Sequence, residues 1–301
     1  MRLSVVVPTL DGRERLGATL DALDERVAAE VIVANGPSTD GTTGMVRERD
    51  DVDVLVEVSD RNPNAVRNAG IEVADGDAVA LVGQGLVVDE GWEAAVRDGL
   101  AAGPAGAVTG PARRRLRGGA TAEEPEREAI CGRTVVHFDG RNVAFRRATL
   151  DALDGFDEYL ETGGDRDAAH RLAGLGRSVA WRTGMSARGE YGADGGRTPR
   201  DWGRVYRALA YRLVKNYGPR PSVARRVLAR AGRDAVGNAR EVLRGESVPT
   251  AWLGTGRRVV GGIATGAAHG LAARARDRTP TRNPNGISDR LDRAVMRYDW
   301  R

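Results

Sequence analysis

Cysteine, lysine and histidine are scarce in this chain of 301 residues. Cys131 is the only cysteine, which excludes an internal disulfide and a zinc site built from several cysteines, and we expect it to be a small buried apolar residue. The three histidines, His137, His170 and His269, are too scattered in the sequence to indicate a metal site. Of the 46 basic residues only Lys215 is a lysine, which codon bias explains at least as well as function.

Long apolar runs are also missing. No segment has 18 consecutive apolar residues, and the sequence opens on a strand pattern instead of a charged and then apolar leader. We therefore expect a cytoplasmic protein with neither an export signal nor a membrane span. The length and a hydrophobic fraction of 41% allow one large domain, or one domain with an appendage.

Charge is distributed unevenly along the chain. Residues 1–110 carry 9 basic and 20 acidic side chains, whereas residues 200–301 carry 22 basic and 8 acidic ones. Such a split indicates that one part of the chain meets an anionic surface and the other does not. Few aromatic residues interrupt the basic segment and the sequence shows no recognisable nucleic-acid-binding module, so we expect no nucleic acid partner.

Strand and helix patterns alternate through the first third of the chain. Residues 4–9 form an uninterrupted apolar segment, typical of a strand buried on both faces, and Leu16, Leu20 and Leu23 follow at helical spacing. Further strand patterns cover residues 31–34, 52–58, 77–82 and 107–111. This alternation predicts an α/β fold with a doubly wound, mostly parallel sheet and right-handed crossovers.

The loop over residues 35–42 joins the end of a predicted strand to a predicted helix. Loops at the carboxyl ends of parallel strands line the crevice where ligands bind. The backbone N–H groups and short side chains of this loop can hydrogen-bond a nucleobase or a ribose. A βα turn that happens to be rich in glycine, proline and serine is the alternative interpretation.

Residues 4–9, residues 35–42 and the sequence Arg67-Asn68-Ala69-Gly70 together resemble the nucleotide-binding half of the family 2 glycosyltransferases, which have the GT-A fold. The later sequence Gly155-Phe156-Asp157-Glu158 resembles the family's acceptor-side turn, so the resemblance covers about residues 1–185. It implies an inverting transfer, of the hexosyltransferase type, from a nucleotide-diphosphate sugar to a glycan or a lipid-linked acceptor. The nucleotide-binding residues that we assign on this basis are Pro8, Thr9, Asp11, Asn35, Ser38, Asp40, Arg67, Asn68, Gly83, Gln84 and Gly85.

The family's two metal-binding carboxylates are replaced here by Gly83-Gln84-Gly85. Mg²⁺ and Mn²⁺ prefer anionic oxygen ligands, and Gln84 offers at most one neutral carbonyl. We therefore assign no cofactor with certainty. Mg²⁺ and Mn²⁺ both stay open as cofactors, but the usual ligands of these ions are absent. Arg113 begins an arginine-rich segment that could neutralise a diphosphate instead, and a solvated basic loop is the alternative.

The missing carboxylates also leave a second function open. A catalytically inactive, GT-A-like protein could bind a nucleotide sugar or act as a scaffold in a glycan assembly complex. In that case the crevice would hold the donor without transferring its sugar.

Asp165 matches the family's catalytic base, although the glutamate that precedes the base in the family is Gly164 here. A plain helix N-cap is the alternative role for Asp165. On the acceptor and diphosphate side, the resemblance implies Asn142, and Arg188 is a further candidate on a glycine-rich loop over residues 184–199.

A hairpin is predicted around Asp139-Gly140, because these turn formers lie between strand patterns over residues 134–138 and 142–146. The two strands would then be direct neighbours in a sheet.

Residues 186–273 are predicted to form a basic amphipathic helical region, and residues 274–301 a flexible tail. Tyr206, Leu209 and Leu213 share one face of the first predicted helix, with basic residues on its other sides. Helices of this kind suit the surface of an anionic membrane, which would make the protein peripheral on the cytoplasmic face. Packing of the apolar face within the protein is the alternative.

Overall fold

The computed structural model describes residues 1–101, 103–114, 124–189, 201–243, 249–290 and 292–301. The chain forms two compact units. The first contains Met1–Tyr159, Gly164–Gly195 and Asn285–Arg301, and the second contains Leu160–Gly163 and Gly196–Pro284.

Strands and helices alternate through the first part of unit one, as the sequence predicted. They are β1 (Leu3–Thr9), α1 (Arg13–Arg26), β2 (Glu30–Asn35), α2 (Thr42–Arg47), β3 (Val54–Val58), α3 (Pro63–Val73) and β4 (Ala78–Val82). The elements that follow are β5 (Leu86–Val88), α4 (Trp92–Ala101), β6 (Ala105–Thr109), β7 (Ala112–Arg114), β8 (Arg127–Ile130), β9 (Arg133–Val136), β10 (Asn142–Arg146), α5 (Arg147–Leu153), α6 (Gly164–Gly174), β11 (Ser178–Trp181) and β12 (Ala187–Gly189).

The central sheet of unit one has the strand order β11-β6-β10-β4-β1-β2-β3, with one more strand beside β3. Strands β4, β1, β2 and β3 are parallel neighbours, so their carboxyl ends meet at one edge. On one face of β1, Val5 and Val7 join a buried core with Leu16 of α1 and Trp92 of α4. The sheet confirms the predicted α/β class and its mostly parallel, doubly wound character.

β10 runs antiparallel between β4 and β6, with Asn142 opposite Val82. The predicted hairpin around Asp139-Gly140 is therefore wrong, because β10 does not pair with the strand that precedes this turn. That strand, β9, pairs with β8 instead, through the turn Cys131-Gly132, where both residues have positive φ. Cys131 is partly exposed at this turn and is not the core residue that we predicted.

The end of the chain differs from the predicted flexible tail. Ala294–Asp299 forms strand β13, which pairs antiparallel with β3 at the edge of the central sheet. Arg293, buried just before this strand, donates hydrogen bonds to Glu72 (2.8 Å) and to the backbone oxygen of Gly286 (2.7 Å), and pairs with Glu158. Arg293 thus binds within unit one, which the polar composition of the segment did not reveal.

The described residues of unit two form three helices, which are α7 (Trp202–Tyr217), α8 (Pro221–Leu243) and α9 (Pro249–Arg276). The apolar face predicted for α7 is buried: Tyr206, Leu209 and Leu213 are at most 5% exposed. Lys215, expected on an outer side of this helix, is buried as well. In the part of the chain that the structure describes, no helix combines the length and apolar composition needed to cross a bilayer.

Glycines of α9 allow α7 to approach it at backbone distance. Cβ atoms built on Gly262, Gly266 and Gly270 would lie 2.3, 2.2 and 2.6 Å from the carbonyl oxygens of Gly203, Arg207 and Tyr211, respectively. Glycine at these three positions of α9 is therefore explained by close helix packing, for which any side chain there is too large.

Candidate functional site

The loops that follow β1 and β2 are joined by hydrogen bonds at the carboxyl edge of the sheet. The hydroxyl of Ser38 donates to Asn35 Oδ1 (2.7 Å) and accepts from the backbone N–H of Asp11 (2.9 Å). The N–H of Gly36 donates to the carbonyl oxygen of Thr9 (2.9 Å), and Asp11 Oδ1 accepts from the N–H of Thr39 (2.9 Å). Five of the predicted nucleotide-side residues, Thr9, Asp11, Asn35, Ser38 and Asp40, thus lie in one loop cluster.

Asp11 and Asp40 hold these loops as carboxylates. The backbone N–H of Thr39, and then Arg61, lower the pKa of Asp11. The backbone N–H of Arg13 (2.9 Å), and then the Thr42 hydroxyl (2.5 Å), lower the pKa of Asp40. Asp11 has a positive φ of 45°, a conformation in which aspartate is enriched and which often occurs at functional sites.

Gln84, which the resemblance matches to the family's metal-binding carboxylates, uses its amide to hold the loop after β1. Its Nε2 donates to the carbonyl oxygen of Leu10 (3.1 Å), and its Oε1 accepts from the N–H of Leu10 (3.1 Å) and the hydroxyl of Thr9. The one oxygen that could bind an ion is therefore occupied. The residues Gly83-Gln84-Gly85 do not fit Mg²⁺ or Mn²⁺, which require several oxygen ligands.

Arg141 takes up the space above Gly83. The N–H of Gly83 donates to the carbonyl oxygen of Arg141 (2.9 Å), and a Cβ built on Gly83 would lie 2.8 Å from the Cβ of Arg141. Arg141 also pairs with Asp139 (2.6 Å) and keeps 36% of its side chain exposed. Burial alone would raise the pKa of Asp139, but hydrogen bonds and charge from Arg141, with charge from Arg67, outweigh it and lower that pKa.

A second group of charges meets around Gly140, one residue before Arg141. A Cβ built on Gly140 would lie 3.0 Å from the Cβ of Asp165 and 3.4 Å from Nη2 of Arg67. Burial lowers the pKa of Arg67, and the negative charges of Asp165 and Asp139 offset part of this effect. The guanidinium stays cationic because arginine is not deprotonated in proteins. Arg67 thus lies in the electrostatic field of two carboxylates, Asp165 and Asp139, and of a second cation, Arg141.

Asp165 is the second residue of α6, since the helix begins at Gly164, so it does not occupy the N-cap position that was its alternative role. Its Oδ1 accepts from the backbone N–H of Arg166 (2.8 Å), and its side chain is half-buried. Asp167, by contrast, is fully buried and paired with Arg171 (2.8 Å).

Asn68 and Asn142, for which we predicted ligand-contacting roles, are buried and form hydrogen bonds within the protein. Asn68 exchanges hydrogen bonds with the backbone N–H and carbonyl oxygen of Phe156 (both 2.8 Å), which fixes the Gly-Phe-Asp-Glu turn. Asn142 accepts from Trp92 Nε1 (2.9 Å) and donates to the carbonyl oxygen of Met185 (2.8 Å). Both side chains are thus engaged in hydrogen bonds that position neighbouring segments of the protein.

Arg188 is exposed on β12 and pairs with Asp89 (2.6 Å). β12 runs beside β5, which follows Gly85 directly, so Arg188 lies on the sheet that extends from the glycine segment. The backbone of Arg113 pairs with that of Arg188. The side chain of Arg113 and residues 115–117 lie outside the described part of the chain.

We did not predict Asp139 and Arg141 as site residues, because the Asp-Gly pair suggested a hairpin turn. A usable signal was present: Val143, Ala144 and Phe145 form an apolar run, as in a strand buried inside a sheet, and the residues before such a strand lie at the edge of the sheet.

The sequence profile of glycosyl transferase family 2 matches residues 4–182. The chain belongs to this family. No curated protein sequence matches it. Among solved structures, the mannosyltransferase PcManGT from Pyrobaculum calidifontis, in complex with GDP-Man and Mn²⁺, is 21% identical with a TM-score of 0.56, over 92% of this chain and 88% of that one.

S. aureus TarS is also similar to this family 2 member. TarS 1-349 is 17% identical with a TM-score of 0.61, over 94% of this chain and 89% of that one. TarS 1-349 in complex with UDP-GlcNAc is 18% identical with a TM-score of 0.55, over 72% and 68% of the two chains. At these identities the likeness establishes the GT-A fold alone.

Proposed function

We propose that this family 2 member is an inverting glycosyltransferase of the hexosyltransferase type. It transfers a sugar from a nucleotide-diphosphate sugar to a glycan or a lipid-linked acceptor. The observation that carries the proposal is the meeting of Arg67, Arg141 and Asp165 around Gly140, beside the loops that follow β1 and β2. The GDP-Man and UDP-GlcNAc complexes of the similar structures support a nucleotide-sugar donor.

The donor occupies the loop cluster in this proposal, with its nucleoside near Asn35 and Ser38 and its diphosphate near Gly83. Arg141 lies directly beside Gly83, and its guanidinium is partly exposed. Guanidinium groups bind phosphate oxygens bidentately and stabilise charge that develops on a leaving group. Arg141, with Arg67 behind it, thus supplies the positive charge that a metal would supply in other members.

Asp165 is the general base for an acceptor hydroxyl. As the hydroxyl oxygen attacks the anomeric carbon, its proton passes to the Asp165 carboxylate. The bond from the anomeric carbon to the phosphate oxygen breaks, and its electron pair leaves with the nucleoside diphosphate. A single displacement of this kind inverts the anomeric carbon. A phosphate acceptor is already ionised and has no proton to remove.

A non-catalytic nucleotide-sugar-binding or scaffold protein is the second candidate. The observation that favours it is the Gln84 amide, which bonds to Leu10 and Thr9 and provides no ion ligand. Such a protein would bind a nucleotide sugar without breaking it down.

A panel of radiolabelled UDP-, GDP- and dTDP-sugars separates the two candidates. Each donor is incubated with the full chain and mixed glycan and lipid-phosphate acceptors, with EDTA or with added Mg²⁺ or Mn²⁺. We expect transfer from one donor class, and we expect it to persist in EDTA. Saturable donor binding without hydrolysis or transfer in any arm would support the scaffold and overturn the enzyme.

An anionic membrane surface is the partner that we propose for α8, which would make the protein peripheral on the cytoplasmic side. Arg225, Arg226 and Arg233 are exposed on this helix, together with Leu228 (61% exposed) and Val236 (53% exposed). Arginines beside exposed apolar side chains suit a headgroup layer. Co-sedimentation with vesicles that contain 30% anionic lipid tests this, with neutral vesicles as the control; equal binding to both would contradict it.

A further inference from the structure

Two of the three histidines, which their sequence positions did not associate, meet in the folded chain with one glutamate. Glu128 lies on β8, His137 follows β9 directly, and His170 lies on α6. One carboxylate oxygen of Glu128 and one ring nitrogen of each histidine lie within 4.8 Å of one another. We name these three residues the Glu-His-His cluster.

The cluster is largely shielded from solvent. His137 and His170 are 5% and 1% exposed, and their rings stand edge to face with centroids 5.5 Å apart. Glu128 Oε2 lies 2.8 Å from His137 Nε2, and the Glu128 side chain retains 18% exposure. His137 Nδ1 is buried and makes no hydrogen bond within the described part of the chain. Buried polar atoms normally have a partner, so this nitrogen calls for an explanation.

We propose that the Glu-His-His cluster is a binding site for one Zn²⁺ ion. Two imidazoles and a carboxylate are a donor set that zinc prefers, in a tetrahedron with bonds of about 2.0–2.2 Å. Ligand atoms in such a tetrahedron are about 3.3 Å apart. Side-chain rotations that move the ligand atoms by about 1 Å would therefore bring the cluster to this spacing. The partial exposure of Glu128 leaves the fourth position to a water molecule.

The ion would connect two elements that border the proposed active site. His137 lies two residues before Asp139, in the segment that leads to Gly140 and Arg141, and His170 is on the helix that begins beside Asp165. Protein contacts between these elements include the partly exposed pair of Arg166 with Glu126 (2.5 Å). Zinc would therefore hold the β8–β9 hairpin against α6.

This site is separate from the donor metal of other family members. It shares no residue with Gly83-Gln84-Gly85, and its ligands come from different elements. It does not depend on the proposed transfer reaction, so metal binding can be tested without any sugar donor.

The experiment measures Zn²⁺ binding to the full chain after the metal has been removed with a chelator and dialysed away. A chromophoric chelator competes for Zn²⁺, elemental analysis gives the stoichiometry, and Co²⁺ serves as a spectroscopic probe of tetrahedral N/O ligation. We expect one tightly bound Zn²⁺ per chain, a visible Co²⁺ spectrum and a rise in Tm with Zn²⁺. His170→Gln and Glu128→Gln should each weaken binding at least tenfold and abolish the rise in Tm.

His269→Gln is the matched control, because His269 is the remaining histidine and lies exposed on α9. It should bind Zn²⁺ as tightly as the unaltered chain. Circular dichroism checks that each variant is folded, and if His170→Gln does not fold, Glu128→Gln decides, since this side chain lies on a partly exposed strand. Absence of tight binding, or equal affinity in all three variants, would overturn the proposal and leave the cluster a hydrogen-bonded pair packed against a second histidine.

Discussion

Arg141 packs against Gly83 so closely that a Cβ atom added to the glycine would lie 2.8 Å from the Cβ of the arginine. The contact involves the base of the Arg141 side chain, which cannot swing away as its guanidinium could. With Arg141 in this position, residue 83 therefore has to be a glycine. A cation thus stands beside the glycine segment that, by the resemblance, replaces the family's carboxylates.

Restoring the two carboxylates should not restore a metal site. In the double variant Gly83→Asp/Gly85→Asp, the first substitution meets Arg141 and the second places a side chain at a φ of +80°. We expect a loss of about 2–4 kcal/mol in the free energy of unfolding, from overpacking and backbone strain. Urea unfolding measures this loss, and calorimetry with Mn²⁺ measures any binding.

Gly91→Asp is the control for the strain alone, since Gly91 has a φ of +79° and no atom within 4 Å of its added Cβ. It should cost less than the double variant. Tight Mn²⁺ binding by a stable double variant would show that Arg141 does not replace the ion.

Arg141→Gln should reduce transfer without unfolding the protein. Its guanidinium is partly exposed beside the proposed diphosphate position, and glutamine keeps the Cβ contact but removes the charge. Loss of one donor that stabilises a leaving group costs about 10²–10³-fold in kcat. Arg177→Gln is the control, because Arg177 is an exposed arginine before β11, and its replacement should leave activity unchanged.

Arg188→Gln provides a comparison within the site. Arg188 pairs with Asp89 and is 60% exposed, so we expect a smaller loss than for Arg141→Gln. Steady-state kinetics with the donor identified in the panel measure both variants. If Arg141→Gln retains full activity while Arg188→Gln loses it, the charge beside the diphosphate has been assigned to the wrong arginine.

Asp165→Asn should lower kcat by about 10²–10⁴-fold with a hydroxyl acceptor, because the amide cannot take the proton. With a phosphate acceptor, which carries no such proton, the same variant should keep most of its activity. Asp151→Asn, an exposed aspartate on α5, is the matched control. Unchanged turnover of a hydroxyl acceptor by Asp165→Asn would remove this residue from the role of base.

The sequence alone was sufficient to predict those strands whose residues are apolar because they are buried. Residues of β1 and β4 are apolar on both faces because helices cover both sides of the sheet, so periodicity alone identified these parallel strands. Asn68 shows the limit of such reasoning. Its place beside Arg67 suggested contact with a nucleotide, but its partner is the backbone of Phe156, which the fold brings from far along the chain.

Strand β13 and the Glu-His-His cluster were missed for a related reason. β13 is an edge strand with Val295 and Met296 exposed at 66% and 50%, and backbone pairing with β3 holds it in place, so no apolar pattern marks it. The cluster depends on packing of α6 against β9. The backbone pairing of β13 and the meeting of the cluster residues both arise only in the folded chain, so neither leaves a pattern in the sequence.

Gly266→Ala should destabilise unit two, because the new Cβ would lie 2.2 Å from the carbonyl oxygen of Arg207 and α7 cannot yield locally. We expect a loss of about 1–3 kcal/mol in the free energy of unfolding. Gly261→Ala, on the same helix with nothing within 4 Å of the added Cβ, should instead gain up to about 1 kcal/mol from helix propensity. Thermal unfolding followed by circular dichroism should give Tm shifts of opposite sign. Equal shifts would mean that α7 and α9 do not pack through these glycines, and the buried face of α7 would then need another cover.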